Sequence, residues 1–175
     1  MAVGQFERVT VLIVDDERLI QNLVRNVLTA LGFWKITIAN SAKKAIELIK
    51  AQDFDIIITD WRMKDGDGID LIRYVRLDPE SRNIRIPIIL LTGNTQEKYI
   101  TTARDAGVNE YMIKPFSAEQ IAQRIRSIFE HPKRFIKCAT YCGPDRRFHN
   151  KPPGTYVEKR KEDFEKRKSA ATTSG

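Results

Sequence analysis

One pattern constrains this chain more than any other: five short apolar runs recur along its first 130 residues, each followed by a stretch with the period of a helix. Val9–Val14 (VTVLIV) is apolar and rich in β-branched residues, and Asp15-Asp16 interrupts it. From Glu17 to Leu31, apolar residues fall at Leu19, Ile20, Leu23, Val24, Val27, Leu28 and Leu31, which is helical spacing, and Gly32 is a stop signal. Ile36–Ala39 is a second strand, and Ser41 can cap a helix to about Ala51. Asp55–Thr59 is a third strand ending at Asp60, Asp65-Gly66-Asp67-Gly68 a loop, and Ile69–Leu77 a short helix. Pro87–Leu91 is a fourth strand, followed by a helix from Thr95 or Gln96 to Ala106 that Gly107 closes. Glu110–Ile113 is the fifth strand, and Ser117-Ala118-Glu119-Gln120 has the capping-box spacing that opens a last helix through Phe129.

Strands alternating with helices imply an α/β fold, a doubly wound five-stranded parallel sheet with helices on both faces. In such open sheets a ligand binds beyond the carboxyl ends of the strands. The residues there are chemically coherent. Strand one ends in Asp15-Asp16, strand three in Asp60, strand four in Thr92, and Lys114-Pro115 follows strand five. Three carboxylates drawn into one crevice repel one another and call for a cation. Oxygen-only ligation suits a hard ion, and a hydrated one suggests Mg²⁺. Any one of these residues alone reads as a turn former or a cap; their joint placement at strand ends carries the argument.

At these spacings Asp15-Asp16, Asp60, Thr92 and Lys114-Pro115 resemble the receiver domain of two-component response regulators, in particular the chemotaxis-type stand-alone receivers. Thr59 through Met63, with Asp67-Gly68, resembles that family around its phosphoacceptor, and the likeness covers residues 8–130. The resemblance implies a flavodoxin-like strand order 2-1-3-4-5. It also implies a phosphorelay switch: Asp60 accepts a phosphoryl group from a histidine kinase or phosphotransfer protein, and the aspartyl-phosphate changes binding to a downstream protein target. Asp15, Asp16, Asp60 and the backbone carbonyl of Arg62 would hold Mg²⁺, Lys114 and Thr92 would contact the phosphoryl oxygens, and Thr92 with Tyr111 would form the switch pair. Such a protein assists its own phosphorylation and dephosphorylation and is not an enzyme in the ordinary sense. Lys64 departs from the commonest pattern, where many receivers have Pro; Arg62, Gly93 and Asn94 also border the site and bear on how long the phosphorylated state lasts.

Net charge divides the chain. Residues 1–130 hold eighteen basic and eighteen acidic residues, whereas 131–175 hold twelve and five, so the whole excess of +7 sits in a basic C-terminal extension. A domain boundary is therefore expected at Glu130, with 131–175 partly disordered. Within it, Tyr141–Arg147 reads as a turn-rich segment, Lys151–Gly154 as a breaker, Val157–Lys168 as a possible helix and Ser169–Gly175 as disordered. Its aromatics, Phe135, Tyr141, Phe148, Tyr156 and Phe164, suit a docking or autoregulatory extension over 131–168; a solvated tail is the plainer alternative. A folded DNA-binding output module does not fit this length, and nucleic acid is an unlikely partner. Two other functions stay open: a phosphorylation-independent interaction module and a nucleic-acid-binding regulator acting through the tail. Cys138, Cys142, His131 and His149 match no common zinc spacing. Two cysteines, no secretory pattern in the first ten residues and no apolar run of membrane-spanning length point to a cytoplasmic protein.

Overall fold

A computed structural model describes residues 6–138 and 140–146. The apolar runs form β1 (Thr10–Val14), β2 (Lys35–Ala39), β3 (Ile56–Asp60), β6 (Ile88–Thr92) and β7 (Glu110–Ile113) of one parallel sheet. Two-residue strands β4 (Arg62–Met63) and β5 (Gly66–Asp67) pair antiparallel beside it. The sheet order is β2-β1-β3-β6-β7, which is 2-1-3-4-5 when its own strands alone are counted. The expected doubly wound fold is therefore present.

Strand residues alternate between two apolar layers. Val11, Ile13, Ile58 and Ile89 face α1 (Arg18–Ala30) and α5 (Ala118–Glu130). Leu12, Val14, Ile57 and Leu90 face α2 (Ala42–Ala51), α3 (Gly68–Leu77) and α4 (Glu97–Ala106). Burial on both faces explains why the central strands β1, β3 and β6 read as unbroken apolar runs, and each fully buried Ile or Leu contributes about 1.5–3 kcal/mol. The capping box is formed: Ser117 Oγ accepts from Gln120 N–H, and the Gln120 side chain accepts from Ser117 N–H. Ser41 caps α2, and Gly107, at φ +94°, closes α4 in the left-handed region that glycine adopts without strain.

Two expectations need correction. Asp65–Gly68 is not only a loop, because Gly66 and Asp67 form β5 and Gly68 begins α3. Tyr141–Arg147 is not merely turn-rich: Tyr141–Pro144 is strand β9, paired antiparallel with β8 (Phe135–Cys138). β9 is buried along its whole length, against α3 and α4. Gly143-Pro144 looks like a breaker in sequence, yet the glycine serves a close backbone approach and the proline ends the strand. The segment just after α5 thus packs on the surface of the α/β domain itself. The possible helix at 157–168 and the disorder expected at 169–175 lie outside the described residues.

Candidate functional site

The carboxyl ends of β1, β3 and β6 and the turn after β7 bring the expected side chains together. β1 stops at Val14 and the chain turns on Asp15, whose Oδ1 accepts from Glu17 N–H at 2.7 Å, the Asx arrangement that starts α1. Gln21 Nε2 donates to the Asp15 carbonyl at 2.6 Å, tying α1 back to that turn. Asp15 is fully buried, Asp60 at the end of β3 is 5% exposed, and Asp16 is half-buried. One carboxylate oxygen from each of the three lies within 4.8 Å of the others. Asp16 Oδ2 also accepts from Lys64 N–H at 3.2 Å, a bond that proline at this position could not supply.

Lys114 is the cation among them. Its Nζ lies 2.9 Å from Asp60 Oδ1, 3.3 Å from Asp15 Oδ2 and 3.6 Å from Glu17 Oε1. The backbone holds it there: Lys114 N–H donates to the Thr92 carbonyl at 2.6 Å. Thr92 is buried, with Oγ1 accepting from Asn94 N–H at 3.0 Å. Tyr111, on β7, is half-buried and packs against the layer that contains Ala103 of α4, as do Tyr99 and Ala106. Arg62 sits on β4 immediately beyond Trp61, its side chain exposed.

Burial dominates the electrostatics. It pushes the Asp60 carboxyl above the usual range, although Lys114 opposes the shift by hydrogen bond and charge. Asp15 is likewise raised by burial, with the Asp60 charge adding to the effect against the Glu17 N–H and Lys114. Lys114 is lowered by burial, but its contacts with Asp60 and Asp15 outweigh this and hold it above the ordinary ammonium range. An ion pair should lower its acid, so a raised Asp60 beside a raised Lys114 looks inconsistent. The inconsistency is resolved by counting: one ammonium serves two buried carboxylates, and neither is fully compensated. That residual negative charge, presented through oxygens only, fits a hard divalent cation.

Sequence reasoning missed two residues that shape the site. Gly68 N–H donates to the Trp61 carbonyl at 2.7 Å, and a Cβ on Gly68 would stand 2.0 Å from the Asp60 carbonyl oxygen. Only glycine lets α3 begin this close to the end of β3; in sequence Asp67-Gly68 belongs to the family resemblance and reads locally as a loop, with no sign of this contact. Gln21 gave no signal, because it falls among other polar positions of an amphipathic helix.

Against families of known proteins, residues 11–126 match the response regulator receiver domain. The chain belongs to that family. Among curated relatives, this receiver is 37% identical to chemotaxis protein CheY-3 of Vibrio cholerae over 120 residues, 69% of this chain and 91% of that one. It is 36% identical to chemotaxis protein CheY of Pseudomonas aeruginosa PAO1, again over 69% of this chain and 95% of the relative. The structure of the chemotaxis response regulator CheY4 of Vibrio cholerae superposes with a TM-score of 0.62 at 25% identity, over 69% of this chain and 98% of that one. The receiver domain of sensor histidine kinase PA1611 from Pseudomonas aeruginosa PAO1 gives 0.59 at 28% identity, over 67% of this chain and 93% of that one. That protein holds a magnesium ion in its active-site cleft. The receiver is thus a response regulator of two-component signal transduction, a phosphoacceptor by family, and among the described residues no helix is long and apolar enough to cross a membrane.

Proposed function

We propose that Asp60 is the phosphoacceptor and that Asp15, Asp16, Asp60 and the Arg62 carbonyl hold Mg²⁺ beside it. The observation that carries this reading is the cluster of three carboxylates, of which the two buried ones, Asp15 and Asp60, share the ammonium of Lys114. A carboxylate oxygen of Asp60 attacks the phosphorus of a phosphohistidine on a kinase or phosphotransfer protein. The P–N bond breaks, the imidazole leaves with the electron pair, and an acyl phosphate remains on Asp60. Held by these residues, Mg²⁺ would supply positive charge to offset that of the transferring phosphoryl group. Lys114 Nζ, already 2.9 Å from Asp60, pairs with a phosphoryl oxygen, and Thr92 Oγ1 turns from Asn94 N–H to donate to another. The space Thr92 leaves admits the Tyr111 ring, and the new packing selects a downstream protein target.

On this reading the chain assists its own phosphorylation and loses the phosphoryl group to water, without turning over a separate substrate. A cytoplasmic location suits a phosphohistidine donor and the free thiols of Cys138 and Cys142. The domain division is a receiver ending with α5 at Glu130 and an extension from residue 131.

The test is incubation with a small-molecule phosphodonor, with and without Mg²⁺, read by intact mass. Wild type gains one phosphoryl group only with the metal, and Asp60→Ala gains none. Lys114→Ala takes up phosphate, yet its Tyr111 environment no longer responds to it. Phosphorylated Asp60→Ala, or metal-independent labelling, contradicts the reading.

A further inference from the structure

The segment from Tyr141 to Arg146 takes no part in the phosphoacceptor chemistry, yet its contacts are specific. We propose that it is a latch: it docks the chain's own C-terminal hairpin onto the end of α4 and the start of β7, and its hold weakens when Asp60 is phosphorylated. The coupling rests on the reading of Asp60 given above.

Every part of the segment serves the docking. Gly143 lies so near Gly107, the C-cap of α4, that a Cβ on it would stand 2.7 Å from Gly107 Cα. A Cβ on Gly107 would in turn stand 2.6 Å from the Cys142 carbonyl oxygen. Tyr141 is buried, and its hydroxyl donates to the Pro144 carbonyl at 2.7 Å, which curls the strand back on itself. Asp145 N–H donates to the Arg134 carbonyl at 2.6 Å and closes the open end of the hairpin. Arg146 lies 3.8 Å over the Tyr141 ring and bonds the Asp105 carboxylate of α4. Beside it, Lys133 Nζ lies 2.8 Å from Glu110 Oε1 at the first residue of β7.

The latch thus holds the end of α4, and Lys133, just ahead of the hairpin in the chain, holds Glu110 of β7; a change at the site must pass through these two elements. α4 starts five residues beyond Thr92 and ends at Gly107 under the hairpin. Tyr111 follows Glu110 on β7 and shares an apolar layer with Ala103 of α4. The latch contacts coexist with a site in which Thr92 Oγ1 is engaged by Asn94 and Lys114 by Asp60. They therefore favour that packing over the one in which Thr92, Lys114 and Tyr111 turn to a phosphoryl group. Coupling of this kind is reciprocal: phosphate loosens the latch, and loosening the latch favours phosphate.

The test uses the full chain, with beryllium fluoride and magnesium chloride as the phosphoryl mimic. In wild type, amide hydrogen exchange across residues 135–146 becomes several-fold faster when the mimic is bound. Gly143→Val, which forces the glycine contact apart, and Asp105→Arg, which replaces the ion pair with Arg146 by repulsion at a largely exposed side chain, bind the mimic about fivefold more tightly by Trp61 fluorescence. Joining Asp105→Arg with Arg146→Asp restores the wild-type affinity. Should Gly143→Val fail to fold, Asp105→Arg alone decides. Wild type that binds the mimic without any change in hairpin exchange, together with unchanged affinity in Asp105→Arg, overturns the latch and leaves the phosphoacceptor reading intact. Wild type that does not bind the mimic overturns that reading, and the coupling with it.

Discussion

The two ends of the sheet are built on opposite principles. At the carboxyl ends of the strands, buried carboxylates crowd around one ammonium, and burial works against their charged forms. At the amino ends of β6 and β7, Arg76 is 2% exposed but its guanidinium is met by acceptors: the Gly107 carbonyl at 2.9 Å, the Ile84 carbonyl at 2.8 Å and Asn109 Oδ1 at 3.2 Å. Asn109 Oδ1 also accepts from Ile88 N–H at 3.0 Å, so one side chain joins the Arg76 cluster to the start of β6. The Phe135 ring of the hairpin lies 5.7 Å from the same guanidinium. One end of the sheet holds charge in excess, which a ligand can use; the other meets its buried cation with internal acceptors.

This contrast can be broken at either end. The largest effect is expected at Gly68, where a side chain meets the Asp60 carbonyl backbone, not the movable tip of another side chain. Gly68→Val should cost about 3 kcal/mol or more in urea unfolding and abolish phosphorylation; a loss under about 1 kcal/mol means that the start of α3 gives way easily. Arg76→Ala should cost about 3 kcal/mol, because it leaves buried acceptors without a donor, while Asp60 still takes up phosphate. Loss of phosphorylation in a folded Arg76→Ala protein would show that the chemistry at Asp60, and not only its coupling to the hairpin, depends on the Arg76 cluster.

Asp60→Asn should act in the opposite sense. In metal-free buffer it relieves repulsion between buried carboxylates and should raise stability by about 1 kcal/mol. Added Mg²⁺ should stabilise wild type more than this variant, since binding to the folded state alone adds stability. If Asp60→Asn is destabilised without metal, the site is better compensated than the distances imply. The smallest effect belongs to surface pairs outside both ends. Arg73, 3.2 Å from Asp70 on the exposed face of α3, should change stability by less than about 0.5 kcal/mol when replaced by Ala.

The contrast also explains what could be read in the sequence. The three central strands were legible because both faces of each are covered, which leaves unbroken runs such as Ile56–Thr59, and the half-buried edge strands β2 and β7 because they fall between helical stretches. Asp15, Asp60, Thr92 and Lys114 were legible because a parallel sheet brings its strand ends together regardless of detail. The hairpin was not. The identity of Gly143 is set by Gly107, far away in sequence, and Gly143-Pro144 carries the same local signal as a turn. Gly68 was hidden for the same reason: its partner is a backbone carbonyl eight residues earlier, and nothing in Asp67-Gly68 distinguishes close approach from a loop. Sequence reports what a residue needs from its neighbours along the chain, and both glycines answer to neighbours in space.

The central claim is that the crowded end of the sheet exists to carry an acyl phosphate on Asp60. The most direct measurement is reductive trapping. The protein is phosphorylated with a small donor and Mg²⁺, treated with borohydride, which reduces an acyl phosphate to an alcohol with loss of phosphate, and mapped by peptide mass spectrometry. The account predicts homoserine at position 60, at no other aspartate, and none when the metal is chelated. Homoserine at Asp15 or Asp16, or none anywhere from a protein whose intact mass shows a phosphoryl group, would contradict it.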